Sequence, residues 1–537
     1  MIGQIPRHQL RWLVLLLVSG VALLTRLALL TQIEHPGLWD PTHYYLLGRN
    51  LLQGKGFTID YIWHYLNGPP AGVSHPIDYW MPLPGILAAL GMALGGDSVQ
   101  AAILPFALLG AVQAALAVWL ADQLDLPLSA RILAGLGTAF LPDLLIASLH
   151  TDTTVPFSVL AMLGLIAMWR GLMSDGRWLW LSGMCSGLAL LTRNDGLLLL
   201  PVFILSAGIA ALRGHRVRLW HYAGFGLAFL LVVAPWVVRN VQVLGMAWPG
   251  GAISTAFTRH SEELYVYATP LTLERYLAVG LGNMIQKRLF ELTASLKLMA
   301  AVTGQFFGAA IGGLGLLLGW AWWKRGREGD AESQAAASLA NRLFWPLLPA
   351  LLLVLGGWLF YGLVTPIHSQ GGSFKKLYLG VLPLLMVGGA AVVTHFVRPR
   401  VVQWALSVLV ILMLLPGAFD IVRDDLNLNR NYASTIYGIG DVLADLQAGM
   451  DRELILMTRD PWSINYLLGY RTVMVPEEDL ETILAVADRY GVTHILLPVP
   501  RAALEGIYAG TAAHPRLQLA ASVPDTIYRI YAVLPPP

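Results

Sequence analysis

The amino-acid sequence predicts an α-helical protein that crosses a membrane many times and ends in a small α/β domain. Of its 537 residues, 56% are hydrophobic and only 13% are charged, which is outside the usual composition of soluble proteins. Apolar runs long enough to span a bilayer recur up to residue 419. The tail from 421 to 537 instead interleaves short apolar runs with helical stretches such as PEEDLETILAVADRYG, as α/β domains do.

Eleven segments are predicted to span the membrane as helices. They lie near residues 12–32, 99–121, 130–148, 155–172, 178–192, 196–212, 219–238, 300–322, 343–364, 377–396 and 401–419. The first is too long for the apolar region of a signal peptide and has no convincing cleavage site after it, so we expect it to be retained. Residues 79–95, YWMPLPGILAALGMALG, are short and carry two prolines. Whether they span decides the orientation of every later segment.

Basic residues in the loops decide between the two orientations. If 79–95 does not span and the N-terminus is cytoplasmic, most loop Arg and Lys residues fall on the cytoplasmic side. The short outer loops then keep only Arg193, Lys375 and Lys376, which is the distribution that the positive-inside rule favours. We therefore expect 79–95 to lie along the outer surface or to dip into it.

This orientation predicts two domains. Residues 1–420 would form a transmembrane domain with outer loops at 33–98 and 239–299, and residues 421–537 would form an extracytoplasmic α/β domain.

The absence of certain motifs from the sequence excludes several classes of site. The tail has no GxGxxG motif and no P-loop, so no nucleotide site is predicted in it. The single cysteine, Cys185, excludes an intramolecular disulfide and gives no Cys/His metal pattern. The basic residues are scattered and form no patch for nucleic acid.

The stretch WDPTHYYLLGRNLLQGKGF, residues 39–57, places a carboxylate directly after the first predicted span. Asp40 followed by Pro41 is a good helix start, with Asp as N-cap and Pro at the first helical position. Gly54 and Gly56 supply a stop. Capping alone therefore explains Asp40 locally, and a catalytic interpretation depends on its surroundings.

On the predicted topology, charged residues that are distant in sequence meet at the outer face. Asp40 opens the first outer loop, Asp152 lies in LHTDTTVPF, Arg193 and Asp195 lie in LLTRNDGLLLLP, and Arg239 lies in APWVVRN. Charges at span ends are costly unless they pair or face water, which makes them functional candidates. Two plainer roles stay open: Arg193 as an interface anchor and Asp152 as a helix cap.

A basic pair, Lys375 and Lys376 in HSQGGSFKKLYLGVLP, lies on the outer side against the inside-positive bias. Cations at headgroup depth would suit a protein whose substrate is an anionic lipid. Anchoring at the interface is the alternative.

These stretches together resemble the GT-C superfamily of glycosyltransferases. The resemblance rests on five stretches of the sequence. They are Asp40 followed by a YxLxGxxLLxGxGF-type motif, the proline-bearing segment DYWMPLPGILAAL, Asp152 after the third span, RNDGLLLLP and above all APWVVRNVQVLG. Within the superfamily they are most similar to the protein O-mannosyltransferase and aminoarabinose-transferase-like group (family 39, RgtA/B/C/D-like). The resemblance covers about residues 10–245, and the later spans only by their pattern.

The resemblance implies a donor in which a monosaccharide is linked to polyprenyl phosphate, in a multi-pass protein of the plasma (cell inner) membrane. It implies Asp40 as the catalytic carboxylate and Asp152 as the second acidic position. Candidate contacts to the donor phosphate are Arg193, Arg239, Lys375 and Lys376. Further candidates for the cavity are His43, Tyr44, His75, Asp78, Asp195 and Asn240.

The sequence departs from the family pattern in two places. Pro41 follows Asp40, where many relatives have a second acidic residue, so no paired carboxylate or metal site is assigned there. No cofactor is expected, and the need for a divalent metal is left open. WMPLP replaces the HPP or EKPP motif of the family. Donor or acceptor contacts near His75, Asp78 and Trp80 are therefore left unassigned.

The chemistry of such a transfer fits these residues. A sugar on polyprenyl phosphate already carries a good leaving group, so the enzyme needs one carboxylate to take the acceptor's proton and cations to hold the departing phosphate. A glycosidase would instead need two carboxylates flanking the bond, one of them protonated. A helix N-terminus favours the ionised carboxylate and therefore suits a base. We expect an inverting glycosyltransferase in which Asp40 is the base. Its acceptor would be a hydroxyl group of unknown identity, and membrane lipids would surround its spans.

Two other classes remain as alternatives. A transporter or flippase for a lipid or polar solute would show internal repeats and polar residues in broken helices, whereas the predicted spans are nearly free of charge and no repeat is found. A catalytically inactive relative would carry the same pattern.

Overall fold

The computed structural model describes residues 6–323, 331–365, 372–397, 399–524 and 526–536, without the side chains of 7, 8, 252 and 305–337. The helices are α1 (Arg7–Leu30), α2 (Asp40–Leu52), α3 (Leu83–Gly95), α4 (Val99–Gln123), α5 (Leu128–Phe140), α6 (Pro142–Ala147), α7 (Thr154–Met173), α8 (Trp178–Leu190), α9 (Leu199–Leu212), α10 (Leu219–Leu244), α11 (Gly251–Ser254), α12 (Leu273–Leu277), α13 (Leu281–Trp323), α14 (Ala331–Leu363), α15 (Ser373–Phe396), α16 (Arg400–Ala448), α17 (Pro461–Leu468), α18 (Leu480–Tyr490) and α19 (Glu505–Tyr508). The strands are β1 (Thr58–Ile59), β2 (Tyr61–Ile62), β3 (His75–Pro76), β4 (Ile455–Thr458), β5 (Arg471–Met474), β6 (His494–Leu497), β7 (Leu517–Ser522) and β8 (Arg529–Val533).

Among the described residues, eight helices are long and apolar enough to cross a membrane by length and composition. They are Gln9–Leu30, Val99–Gln123, Thr154–Met173, Asn194–Leu212, Leu219–Leu244, Ser338–Leu363, Ser373–Phe396 and Arg400–Ala448. Helix α15 lies at the centre of the protein, because 94% of the residues in its most apolar stretch are buried. The predicted class, a polytopic α-helical membrane protein, is confirmed.

Three predicted spans differ in detail. Segment 130–148 is two helices, α5 and α6, because Pro142 cannot continue α5 and Leu141 before it takes an extended backbone. Segment 178–192 forms α8, which has 13 residues. Segment 300–322 lies in α13, which is kinked at Gly304, and its side chains from 305 onward lie outside the described residues.

The doubtful segment 79–95 forms the 13-residue helix α3. At about 1.5 Å per residue it is about 20 Å long, as are α5 and α8, and each of the three is shorter than a hydrocarbon core of about 30 Å. Helix α3 packs against α2 at a close crossing, where a Cβ added to Gly48 would lie 2.8 Å from the Ala88 Cβ. Glycine at this position therefore lets the two short helices approach each other.

The first span carries a charged side chain, Arg26, in its last two turns. Arg26 of α1 is fully buried. Its guanidinium donates to the Ser148 hydroxyl at 2.8 Å and to the Ala22 and Ala139 carbonyls. These bonds hold α1 against the α5–α6 break, where the interrupted helix leaves carbonyl groups without their usual partners.

The C-terminal part of the chain is an α/β domain whose sheet has the strand order β2-β5-β4-β6-β8-β7. Strands β2, β5, β4 and β6 are parallel, while β8 and β7 run antiparallel. The edge strand β2 comes from the loop 33–98, which the sequence predicts to be the first outer loop. Helix α16 has 49 residues and contains both the predicted last span and the predicted domain boundary at residue 420. Its length of about 74 Å carries the chain from the bilayer into this domain without a break.

Candidate active site

Helix α2 begins at Asp40, but Asp40 is not its N-cap as the sequence predicted. Trp39 occupies the cap position, with φ +62°, and Pro41 is the second helical residue. No side chain caps this helix. A bulky residue with positive φ is strained and is held only where its surroundings impose it. The carboxylate of Asp40 is therefore free of the capping role and is 38% exposed.

The ammonium group of Lys376, in the first turn of α15, joins two carboxylates. It donates to Asp40 Oδ2 at 2.9 Å and to Asp152 Oδ1 at 2.7 Å. These three residues come from positions 40, 152 and 376 of the chain, so the fold rather than sequence proximity assembles the cluster. The two carboxylates share one cation, and charge-assisted bonds of this length are strong.

Asp152 lies deeper than Asp40, with only 8% of its side chain exposed. It precedes α7, which begins at Thr154, and its Oδ2 accepts the Thr154 hydroxyl at 2.7 Å. Burial alone would raise the pKa of this carboxyl, but the Lys376 charge, the Thr154 hydroxyl and the Thr153 backbone N–H together hold the pKa well below its usual range. Asp152 is therefore an ionised and well-bonded group.

Arg193 is the second cation in this region and is enclosed by its partners. It forms a two-pronged pair with Asp195 at 2.9 and 2.8 Å, and it also donates to the Thr153 hydroxyl and the Ser373 carbonyl. The hydroxyl of Tyr361 donates to Asp195 at 2.9 Å. Arg193 thus ties the start of α7 and the start of α15 to the turn after α8.

The adjacent lysine, Lys375, points elsewhere. Its ammonium pairs with Asp143 of α6 at 2.5 Å and is 36% exposed. Successive residues of a helix lie about 100° apart, so two neighbouring lysines cannot serve the same carboxylates. Of the basic pair predicted from the sequence, Lys376 alone joins Asp40 and Asp152.

Arg239 lies in a different set of contacts, beneath the first outer loop. Its guanidinium donates to the carbonyls of Ile77 and Phe57 at 2.8 and 3.1 Å and to Asn240 Oδ1 at 3.0 Å. It also lies over the Trp236 ring, 4.7 Å from its centroid. Arg239 therefore bonds the loop backbone, and Asn240 bonds Arg239 and the Ala247 carbonyl; neither contacts the carboxylates of the cluster.

The same loop holds a second polar group around Asp78. His64 Nε2 lies 3.1 Å from Asp78 Oδ1, and the Asn67 amide donates to Asp78 Oδ2 at 3.1 Å. Burial would raise the pKa of Asp78, but His64 and Asn67 lower it below the usual value. The His75 imidazole bonds the Val73 carbonyl at 2.9 Å, and His75 lies in strand β3, which pairs antiparallel with β1. These contacts order the loop.

Aromatic residues surround the base of α2. Tyr44 and His43 are both 1% exposed, and the His43 ring lies 4.1 Å from that of Trp80. Trp80 stacks on Trp63 at 4.2 Å. Trp462 of the C-terminal domain meets Trp63 edge-on at 6.2 Å. The C-terminal domain therefore packs directly beneath the helix that begins with Asp40.

Several residues of these networks were not predicted from the sequence. Tyr361 lies within a long apolar span, and nothing in its neighbourhood marks it as a partner of Asp195. His64 and Asn67 stand three apart before the GPP turn, a spacing that could have drawn attention to them. Among the described residues, no group of three or more His, Cys, Asp or Glu side chains is placed to hold a metal ion.

Nearly the whole chain resembles solved structures in fold. ArnT from Cupriavidus metallidurans bound to undecaprenyl phosphate superposes with a TM-score of 0.59, 14% identity and coverage of 97% of this chain and 99% of that one. The apo state of the same protein gives a TM-score of 0.57 with the same identity and coverage. Arabinofuranosyltransferase AftD from mycobacteria gives 0.49 at 15% identity, over 98% of this chain and 40% of that one. The ArnT match shows that the chain has the GT-C fold.

The sequence also matches a family model. Residues 74–238 match the model described as dolichyl-phosphate-mannose-protein mannosyltransferase. This match covers less than a third of the chain; together with the GT-C fold it agrees with the glycosyltransferase class predicted from the sequence. The matched segment contains Asp152, Arg193 and Asp195, while Asp40, Arg239 and Lys376 lie outside it. Comparison with curated protein sequences gives no match.

Proposed function

We propose that this protein transfers a monosaccharide from a polyprenyl-phosphate donor to a hydroxyl acceptor on the extracytoplasmic face of the inner membrane, with Asp40 as the general base. The observation that carries the proposal is the Asp40–Lys376–Asp152 cluster. It combines an accessible carboxylate with a cation at the end of the membrane-spanning helices. The matched family and the undecaprenyl phosphate bound to ArnT support a lipid-phosphate donor.

The reaction assigned to this site is a single displacement. The acceptor oxygen attacks the anomeric carbon while Asp40 takes the hydroxyl proton. The bond between the anomeric carbon and the phosphate oxygen breaks, and its electron pair leaves with the polyprenyl phosphate. Attack opposite the leaving group inverts the anomeric configuration. No general acid is needed, because a phosphate leaves without being protonated.

Lys376 and Asp152 support this chemistry electrostatically. The Lys376 ammonium, 2.9 Å from the Asp40 carboxylate, offers a cation for the negative charge that develops on the phosphate. Asp152 holds Lys376 from the buried side at 2.7 Å. The donors of Arg193 are engaged with Asp195, Thr153 and Ser373, so its proposed contribution to phosphate binding is a positive field rather than a free hydrogen-bond donor.

The donor class can be tested with purified protein and a panel of sugars linked to polyprenyl phosphate, polyprenyl diphosphate or a nucleotide. We expect release of free polyprenyl phosphate, and labelling of a hydroxyl acceptor, only with the monophosphate-linked sugars. Transfer from nucleotide sugars with none from the lipid-linked sugars would contradict the proposal. The anomeric configuration of the product distinguishes single from double displacement.

The side of the membrane can be tested by cysteine accessibility. In a Cys185→Ser background, single cysteines at positions 260 and 460 should react with an impermeant thiol reagent added from outside. Labelling confined to the cytoplasmic side would reverse the orientation and remove the proposed site from the extracytoplasmic face.

A further inference from the structure

The sheet of the C-terminal domain takes its edge strand from the first outer loop. Strand β2 pairs in parallel with β5, with Tyr61 opposite Thr472 and Ile62 opposite Val473. Tyr61 and Ile62 are both fully buried. A two-residue strand cannot be stable alone, so this piece of the loop is ordered by the domain that it joins.

Other contacts make the loop and the domain a single packing unit. The Tyr65 hydroxyl donates to the Met474 carbonyl at 2.6 Å, and the Asn465 amide donates to the Asp60 carbonyl at 3.4 Å. Residues of the loop and of the domain share one hydrophobic core, to which Trp63 and Trp462 both belong. The C-terminal domain and the loop therefore share one core and pack as a single unit.

One side chain of this edge strand reaches helix α2. The Tyr61 hydroxyl and His43 Nδ1 are 2.5 Å apart, and the two side chains are 0% and 1% exposed. His43 follows Asp40 by three residues, which is about one helical turn. The second imidazole nitrogen of His43, Nε2, is buried and has no hydrogen-bond partner among the described residues. The bond to Tyr61 is therefore the polar contact that fixes this ring.

We infer that Tyr61 and His43 are positioning residues: through β2, the C-terminal domain holds the first turn of α2 so that the Asp40 carboxylate lies against Lys376. This inference rests on the proposed role of Asp40 as base.

The strained helix start makes such a support necessary. Trp39 holds φ +62° immediately before Asp40, a conformation that persists only where surrounding contacts impose it. The Tyr61–His43 bond is such a contact, one turn further along the helix. Displacing a catalytic group by about 1 Å can cost on the order of a hundredfold in rate. Removing this bond should therefore lower kcat strongly while changing the thermal midpoint only slightly.

The sharpest comparison is between Tyr61→Phe and Tyr65→Phe in the full-length protein. Both remove a buried hydroxyl from the same loop; the Tyr61 hydroxyl bonds His43 of α2, whereas the Tyr65 hydroxyl bonds Met474 of the C-terminal domain. We expect Tyr61→Phe to lower kcat about tenfold to a hundredfold, with the KM for donor nearly unchanged. Tyr65→Phe should lower the thermal midpoint similarly but leave kcat close to wild type. Equal losses of kcat in the two variants would overturn the inference.

Substitutions of His43 add a test of geometry. The amide of His43→Asn lies near the position of Nδ1 and can still bond Tyr61, whereas that of His43→Gln lies near the position of Nε2. We expect His43→Asn to retain clearly more activity than His43→Gln at similar stability. The reverse order would contradict a role through the Tyr61 bond.

Hydrogen–deuterium exchange separates this inference from the proposed function, because it needs no activity. If wild type transferred no sugar from any lipid-phosphate donor, the proposed function would fail, and exchange alone would decide the positioning role. Faster exchange of the α2 amides in Tyr61→Phe than in Tyr65→Phe would support it. Equal exchange in the two variants would refute it.

Discussion

The two ends of the Asp40–Lys376–Asp152 cluster differ in burial and in bonding. Asp40 stands at the strained start of α2 with its side chain 38% exposed, and its carboxylate pairs with Lys376. Asp152 is 8% exposed and is also bonded to Thr154. One cation thus serves an accessible carboxylate and an enclosed one. In the proposed mechanism this difference corresponds to a division of labour: Asp152 fixes the cation, and Asp40 takes the proton of the acceptor.

Removing the shared cation should have the largest effect, because it affects both ends. Lys376→Met leaves the buried Asp152 carboxylate without its ammonium partner, which we expect to lower the free energy of unfolding by about 3–5 kcal/mol. Transfer should fall by about a thousandfold. Thermal unfolding in detergent and the transfer assay measure the two effects.

Lys375→Met is the matched control. Its partner Asp143 is on another helix and the lysine is 36% exposed, so the cost should stay below about 1 kcal/mol. Similar losses in the two lysine variants would show that the shared position of Lys376 has no special importance.

The enclosed end can be weakened selectively with Arg193→Lys. Lysine keeps the charge but loses the fork that grips both oxygens of Asp195. We expect a loss of about 2 kcal/mol in the free energy of unfolding. Arg239→Lys, whose guanidinium has no carboxylate partner among the described residues, should lose less. A larger loss of unfolding free energy in Arg239→Lys would show that the Arg193–Asp195 pair is not the more important of the two arginine contacts for stability.

The enclosed end of the cluster should make the stability of the protein sensitive to acid. The folded-state pKa of Asp152 lies below its unfolded value of about 3.9, so its contribution to stability is present above about pH 4 and is lost as the pH falls toward the folded-state pKa. Thermal midpoints measured from about pH 6 down to about pH 3 should therefore fall less steeply in Asp152→Asn than in wild type. An unchanged slope in that variant would place the acid-sensitive group elsewhere.

The smallest expected effect concerns the link from the enclosed end to α16. His150 is 3.0 Å from Asp425, and although burial alone would lower the pKa of the imidazole, Asp425 raises it above the usual value. A raised pKa stabilises the fold below about pH 6.5, and this contribution is lost as the pH rises through the folded-state pKa. Asp425→Asn should remove that dependence at a cost of about 1 kcal/mol. A persisting dependence would identify another titrating group.

The sequence predicts the membrane class and the gathering of charges because both depend on cumulative properties. Apolar length defines the spans, and loop charge defines the side on which each turn lies. Asp40, Asp152 and Arg193 could thus be assigned to one face before any contact was known. Their chemical roles remain proposals.

The pairings within the cluster could not be predicted, since they depend on geometry. Lys375 and Lys376 are adjacent in sequence, yet the helix turn sends them to different carboxylates. The local text DP predicts a cap at Asp40, whereas the surrounding fold forces Trp39 into that position. Strand β2 has only two residues, too few for any periodicity, so its place in the C-terminal sheet was invisible in the sequence.

The most direct test of the central claim compares Asp40→Asn with Asp152→Asn in transfer and in thermal stability. The account predicts that Asp40→Asn abolishes most transfer, by about a thousandfold, with a small change in the thermal midpoint. Asp152→Asn should lower the midpoint clearly and retain more transfer than Asp40→Asn. Near wild-type turnover in Asp40→Asn would contradict the assignment of Asp40 as the base.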